Sequence, residues 1–357
     1  MAYTTIDDPS AYFQTALWTG DGNDDRAITN DGNSNLQPDW IWFKNRSTTN
    51  SHNLLDSSRG ITKRLRSDDN SAEFTTSTRL KSFDSDGMTI STDPSVNGNT
   101  NSIVAWQWKA NGGSRTTFTE SGNNPGGGYQ ANTTAGFSIV DYTGTGSAGT
   151  VSHGLGSTPA MIIIKDRSEA SAWVVYHQAL DNTHFIKLND TTGSASESSN
   201  FNNTSPTSTV FTVGTSTNVN KDGNNYIAYC FCEKQGYSKI GQYKGNGNAN
   251  GAFIYTGFKP AWVMWKRTDA SGNSWGLVDH RRNKNDTSDV GNVIDVYLSP
   301  DLNNDDSGNS DTMDFLSNGF KIRRTGNFIN VDDSTYVYMA FAESPFVSSR
   351  GVPTTAR

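Results

Sequence analysis

The sequence predicts an all-β fold, three tandem antiparallel β-sandwich repeats of jelly-roll type, each about 100 residues long. The first observation behind this is repetition. PDWIWFK at 38–44, PAMIIIK at 159–165 and PAWVMWK at 260–266 each place a proline before an apolar burst and a lysine six positions after that proline. HNLLD (52–56), WVVYH (173–177) and WGLVD (275–279) follow in turn, and then IVAWQWK (103–109), IAYCFCE (227–233) and VYMAFAE (337–343). A fixed order of short segments recurring along a chain marks copies of one unit. The second observation is the length and punctuation of the apolar runs. They last four or five residues, are rich in Ile, Val, Trp, Phe and Tyr, and are bounded by Gly, Asn, Asp or Pro, as strands are.

Taken in order, the bursts at 40–43, 161–164 and 262–265 are apolar at every position, the pattern of strands buried on both faces. The closing segments alternate instead, with Trp106 and Trp108, Tyr229 and Phe231, and Met339 and Phe341 each sharing a face. The openings also correspond. Phe13, Trp18 and Gly20 match Phe137, Tyr142 and Gly144, and match Tyr237, Tyr243 and Gly245 with one residue inserted. No stretch of ten residues keeps a 3.6 period, so no sizeable helix is expected. The repeats are placed at 1–109, 131–234 and 235–345, with a Gly/Asn-rich linker at 110–130 and a tail at 346–357.

Only 33% of residues are hydrophobic, yet 11% are aromatic, so the cores are expected to use few but large side chains. A net charge of −7 argues against nucleic acid as a partner, because a phosphate backbone calls for clustered cations. The two dense basic stretches, Lys63-Arg64-Leu65-Arg66 and Arg281-Arg282-Asn283-Lys284, read as solvated loop charge. No run reaches the ~18 apolar residues of a membrane span, and MAYTTIDDPS has no secretory character; synthesis in a cytoplasm and no membrane insertion are expected. Cys230 and Cys232 are too close along one strand for a disulfide. They fall where the third repeat has Ala340 and Ala342, so they read as small core residues.

Three constellations are candidates for chemistry. Asp56 with Arg59, echoed by Asp279 with Arg282, can offer a planar fork to a ligand carboxylate or sugar hydroxyl, or tie a loop as an ion pair. The second repeat has His177 and Leu180 at those positions. The acidic loop from 301 begins like a calcium loop, with Asp301, Asn303 and Asp305 at alternate positions, but has Asp306 in place of the turn glycine and Thr312 in place of the bidentate Glu. Calcium is therefore the one ion the sequence suggests, and no other cofactor is expected. The histidines at 52, 153, 177, 184 and 280 are scattered and form no metal pattern; they are expected at polar loops and strand ends. The sequence shows no G-x-S-x-G elbow and no phosphate-binding loop, so no catalytic residues are assigned. Paired carboxylates for glycoside hydrolysis leave no local signature in sequence.

Several strings together resemble a known family. They are AYTTIDDPSAYFQTALWTGDGN (2–23), ITNDGNSNLQPDWIWFKNR (28–46), HNLLDSSRG (52–60), VSHGLGSTPAMIIIKDRS (151–168), GNNYIAYCFCEKQGYSKIGQYKGNGNANG (223–251) and TGFKPAWVMWKRTDA (256–270). The chain is similar, over nearly its whole length, to largely uncharacterised virion proteins of tailed phages, abundant in marine phages and often labelled tail-fibre-like. The resemblance implies a structural part of a virus particle, with other virion proteins as partners. It brings no catalytic residues. Three roles follow as expectations: a tail-fibre or receptor-binding component contacting host surface polysaccharide, a capsid decoration protein, or, last, a polysaccharide depolymerase. With no heptad stalk or collagen-like repeat, a fibre role means a compact tip or adaptor. Fibres commonly form homo-oligomers, which the internal repeat can replace.

Overall fold

The computed structural model describes residues 2–282, 293–306 and 312–354. Its regular secondary structure is almost wholly β, in antiparallel sheets. Three central sheets share one spatial order of four strands. The first runs Phe13–Thr19, Ser102–Trp108, Trp40–Asn45, Asn53–Asp56. The second contains Phe137–Thr143, Asn225–Phe231, Met161–Asp166, Val174–His177, and the third Ser238–Lys244, Thr335–Pro345, Phe258–Arg267, Gly276–Asp279. In each, the closing strand lies between the opening strand and the burst.

The register fixes which residues correspond. Trp108 lies opposite Phe13 and Trp40, Phe231 opposite Phe137 and Met161, and Phe341 opposite Ser238 and Trp262. Trp106, Tyr229 and Met339 form the next level on the same face, opposite Trp42, Ile163 and Met264. Two details of the string alignment are thereby corrected. The first closing segment is in step when counted from Val104, and the third opening has no insertion, since Ser238 occupies the level of Phe13. A strand's register follows its buried face, not the residue at which an apolar string starts.

Both faces of each central sheet are covered. In the first, Ile41, Phe43, Leu55 and Ala105 cluster with Ile28, Leu80, Met88 and Ile90, from a smaller sheet of Arg26–Thr29, Gly87–Ile90 and Leu80–Asp84. Ile162 and Ile164 cluster likewise with Phe211 and Val213, and Val263 and Trp265 with Ile254 and Phe320. The opposite faces of all three sheets meet in one cluster, which includes Phe13, Trp40, Trp106, Trp108, Phe137, Tyr229, Phe231, Trp262 and Phe341. Its rings touch across sheets: Trp40 and Tyr229 stack at 4.3 Å, and Phe13 and Phe341 at 5.2 Å. This shared core is why the bursts are apolar at every position. Trp40, Trp42, Trp262 and Trp265 are all fully buried, and both cysteines are free and buried.

The segment expected to be a linker is partly strand. Thr116–Phe118 and Gly127–Asn132 add to the second sheet beside Phe137–Thr143. Gly127 is needed there, because a Cβ would lie 2.1 Å from the carbonyl oxygen of Asp141; the glycines that permit this approach also erase the alternation that would announce a strand. Helix among the described residues is confined to single turns such as Pro94–Asn97 and Thr217–Asn220.

Another recurring element is a buried asparagine: Asn97, Asn220 and Asn330, each preceded by Val96, Val219 or Ile329. Each clasps a Gly-x-Gly turn at the end of an opening strand. The side-chain oxygens accept the N–H groups of Asp21, Thr145 and Asn246 at 3.2, 2.9 and 2.9 Å. The backbone carbonyls accept from Gly22, Gly146 and Gly247 at 2.9, 2.8 and 3.1 Å. Trp18, Tyr142 and Tyr243 donate to the carbonyl just before each asparagine at 3.0, 2.7 and 2.9 Å. A Cβ on Gly20, Gly144 or Gly245 would lie 2.0, 2.2 or 2.1 Å from a backbone oxygen, so glycine is required at all three.

Asn220→Ala removes an acceptor from Thr145 N–H and donors to the Ser147 and Gly214 carbonyls. Unmet buried groups cost about 1–3 kcal/mol each. A fall in unfolding free energy of about 2–3 kcal/mol by chemical denaturation is therefore expected; a change within error would show that the clasp does not hold the turn.

Candidate functional site

The residues that carry chemistry in the sequence converge on the contacts between the three central sheets, and each contact is built at the same levels. The first level is the repeated lysine. Lys44, Lys165 and Lys266 end their bursts and are fully buried. Lys44 Nζ donates to the carbonyls of Asn45 at 2.7 Å and Asn303 at 3.2 Å. Lys165 reaches Asp166 at 2.8 Å and Asn70 at 3.3 Å, and Lys266 reaches Asn273 and, at 3.2 Å, Asp190. Each ammonium thus bonds a carbonyl belonging to another third of the chain. Loss of hydration lowers each lysine pKa to about 8, against the pull of nearby carboxylates such as Asp68, Asp166 and Asp301.

The second level is a ring N–H or nitrogen that crosses between sheets. Trp173 Nε1 donates to the Arg66 carbonyl at 2.7 Å and Trp275 Nε1 to the Lys187 carbonyl at 2.8 Å, while His52 Nε2 lies 3.2 Å from the Ser299 carbonyl. The backbone N–H of each of these residues is capped by one side chain: Asp68 for His52, Asn189 for Trp173 and Asp301 for Trp275, at 2.9, 2.8 and 3.0 Å. Asp301 is therefore a buried cap, its pKa raised to about 6 by burial. Asn303 gives its carbonyl to Lys44, a cation already in place, and Asp305 is exposed. Among the described residues no group of three or more His, Cys, Asp or Glu side chains could hold a metal. Positions 307–311 of that loop lie outside the described residues, as do Asn283 and Lys284.

The third level contains the Asp-x-x-Arg pairs. Arg59 Nε meets Asp56 Oδ2 at 2.5 Å and Arg282 Nε meets Asp279 Oδ2 at 2.5 Å, with no side-chain exposure in either pair. Tyr229 donates to Asp56 at 2.7 Å from the second sheet, and Trp106 Nε1 to Asp279 at 2.9 Å from the first. Arg59 also contacts Glu73, which Arg167 grips at 2.8 Å; Arg282 contacts Asp306, which Arg46 grips at 2.6 Å. Neither pair presents a face to a ligand. At the remaining contact His177, Leu180, Ser194, Thr268 and Met339 stand at the corresponding places. His177 Nε2 lies 3.3 Å from the Tyr338 carbonyl, and Ser194 N–H donates to the Thr268 carbonyl at 2.8 Å, as Glu73 does to Arg167 and Asp306 to Arg46. Burial lowers the His177 pKa to about 4, which keeps the ring neutral beside the Tyr338 carbonyl.

The contacts run first to second, second to third, and third back to first, so the arrangement is closed. Two expectations change. His52, His153 and His177 lie at strand ends but are buried rather than open to water, and Arg64 and Arg282 are buried rather than solvated, at 4% and 1% exposure. The signal for the lysines was present in the sequence, since a charge kept at one place in a repeated apolar string has a fixed environment.

A sequence profile described as "Domain of unknown function (DUF7483)" matches residues 8–345. The chain belongs to this family. No curated protein and no solved structure is significantly similar to it. The DUF7483 match runs unbroken through all three contacts.

Two outcomes test this arrangement. Arg59→Leu alone strands Asp56, whose guanidinium partner it removes, while Glu73 keeps Arg167, and it is expected to cost about 3–5 kcal/mol of stability. Combining it with Asp56→His, Glu73→Ser, Tyr229→Met and Arg167→Thr, which copies the neutral contact, should recover most of that loss. For the lysines, the folded pKa of about 8 lies below the unfolded value of about 10.4. The unfolded chain binds more protons between these values, so stability rises with pH across that window. Replacing all three lysines by Met should therefore make the change in melting temperature from pH 8 to pH 9.5 less positive than in the wild type. Cys230, Cys232 and Tyr229, whose pKa values burial raises, act in the opposite direction in both proteins.

Proposed function

We propose that the chain is three copies of one β-sandwich module, with boundaries near 1–109, 131–234 and 235–345, closed into a ring that serves as a rigid structural unit of a virus particle. The 110–130 segment belongs with the second module. The observation that carries this is closure, with three chemically related contacts joining three sheets of identical strand order. A single chain of this kind supplies a pseudo-threefold head without oligomerising, which suits a compact tip or adaptor at a symmetric tail. The resemblance to tail-fibre-like virion proteins points the same way, and host surface glycans are the partner this reading favours. The acid–arginine pairs picked from the sequence are engaged within the ring, which supports a structural role over a depolymerase.

The deciding experiment is a cryo-EM reconstruction of the whole particle with density assigned to this chain. Density at the tail, loops outward, is the expected outcome. Density spread over the shell would replace the receptor-binding role with capsid decoration. Light scattering of the isolated protein should give the monomer mass of 38.8 kDa; an obligate trimer would show that the internal ring does not stand in for oligomerisation.

A further inference from the structure

Beside the ring contacts, the third module carries an open groove of about 590 Å³, lined among others by Tyr297, Phe328, Arg324, Asn273, Ser299 and Asn304. That volume is typical of a small-molecule site. Tyr297 and Phe328 form its aromatic wall, with ring centroids 4.9 Å apart and planes at 41°. The wall is held from behind. Trp265 packs on Phe328 at 5.2 Å and its indole N–H donates to the Phe328 carbonyl at 2.9 Å. Asn273 is anchored through its carbonyl to Lys266, and the Ser299 carbonyl faces His52. Arg324 lies over both rings at 5.8 Å. Its neighbour Arg323 pairs with Asp314, whereas Arg324 has no carboxylate partner among the described residues. The guanidinium is thus positioned by the rings with its hydrogen-bonding fork still available.

The fold does not require this wall. Leu65, Ile186 and Leu298 correspond, each opposite the same level of its sheet, so Tyr297 stands where the other modules have Arg64 and Phe185. Counting back from the buried asparagines, Phe328 stands where they have Ser95 and Asn218. Among the described residues, the third module alone combines two partly exposed rings with an arginine that has no carboxylate partner. Flat aromatic faces beside amide and hydroxyl groups are chemistry for a pyranose. Its C–H face is apolar and slightly positive, matching the negative face of an aromatic ring. The arginine adds recognition of a carboxylate.

We propose that this groove binds a carboxylated sugar unit of an acidic polysaccharide, the sugar face on Tyr297 and Phe328, the carboxylate on Arg324, and hydroxyls toward Asn273 and Asn304. The proposal deepens the host-glycan reading and rests on it. The test is calorimetric titration of the full chain with oligogalacturonate and with neutral cellohexaose, for wild type, Arg324→Gln and Tyr297→Ala, folding being checked by circular dichroism. Wild type should prefer the acidic oligomer. Arg324→Gln should weaken that binding by about tenfold or more, since a hydrogen bond to a charged group is worth about 1.5–3 kcal/mol, and Tyr297→Ala should weaken it as well. Wild-type binding that neither substitution changes would overturn the groove while leaving the host-glycan reading in place. Equal affinity for both oligomers would overturn the carboxylate recognition. Binding of neither by wild type would overturn the groove and count against the glycan reading with it.

Discussion

The structure depends on one constraint: each central sheet must bury two faces, and its own small partner sheet covers only one. The second face has to find another sheet, and the solution is three sheets sharing a single aromatic core. The balance favours this even at polar cost. The indole N–H groups of Trp40, Trp108 and Trp262 have no hydrogen-bond partner among the described residues. An unmet donor costs about 1–3 kcal/mol. Burying an indole removes about 150–250 Å² from water, worth about 4–6 kcal/mol. Burial wins at each of the three.

Around that core, polar chemistry sets which sheet meets which. The three contacts are three natural variants of one joint. Two use an Asp-x-x-Arg pair, a further carboxylate and a second arginine, and each pairs its aspartate with an aromatic donor, Tyr229 or Trp106. In the third every one of these groups is neutral, and the donor's place is taken by Met339. Removing a single member from a charged joint would leave a buried charge without its partner. Joint-wide replacement avoids this.

Much of the fold was legible in the sequence and little of the site was. The bursts announced doubly buried strands because PAMIIIK and PAWVMWK have no polar position before the lysine. Alternation placed Trp106, Tyr229 and Met339 on one face, as the register shows. The strand at Gly127–Asn132 was hidden because its close approach to Asp141 demands glycine. The asparagine clasp was hidden because its partners lie about seventy to eighty residues away in sequence, and a Val-Asn pair alone says nothing. Arg59 and Asp56 were found but not placed: three-residue spacing reports an ion pair, whereas burial against Tyr229, 173 residues from Asp56, is a property of the closed ring.

The same geometry separates what can change from what cannot. Positions that face the axis are constrained from several directions at once. Lys165, for example, satisfies carbonyls of two modules, so its replacement disturbs both. Rim positions answer only to their own module. Tyr297, Phe185 and Arg64 occupy corresponding places beside the three central sheets, yet only Tyr297 is partly exposed among them, although the leucine or isoleucine one residue later is buried in all three. Three joined sheets with like contacts and unlike outer positions can therefore present three different surfaces. A trimer of identical chains is bound by symmetry to present three alike. In the proposed ring, covalent joining of the copies releases the rims from that symmetry while the axis keeps it, and the groove walled by Tyr297 and Phe328 lies where that freedom applies.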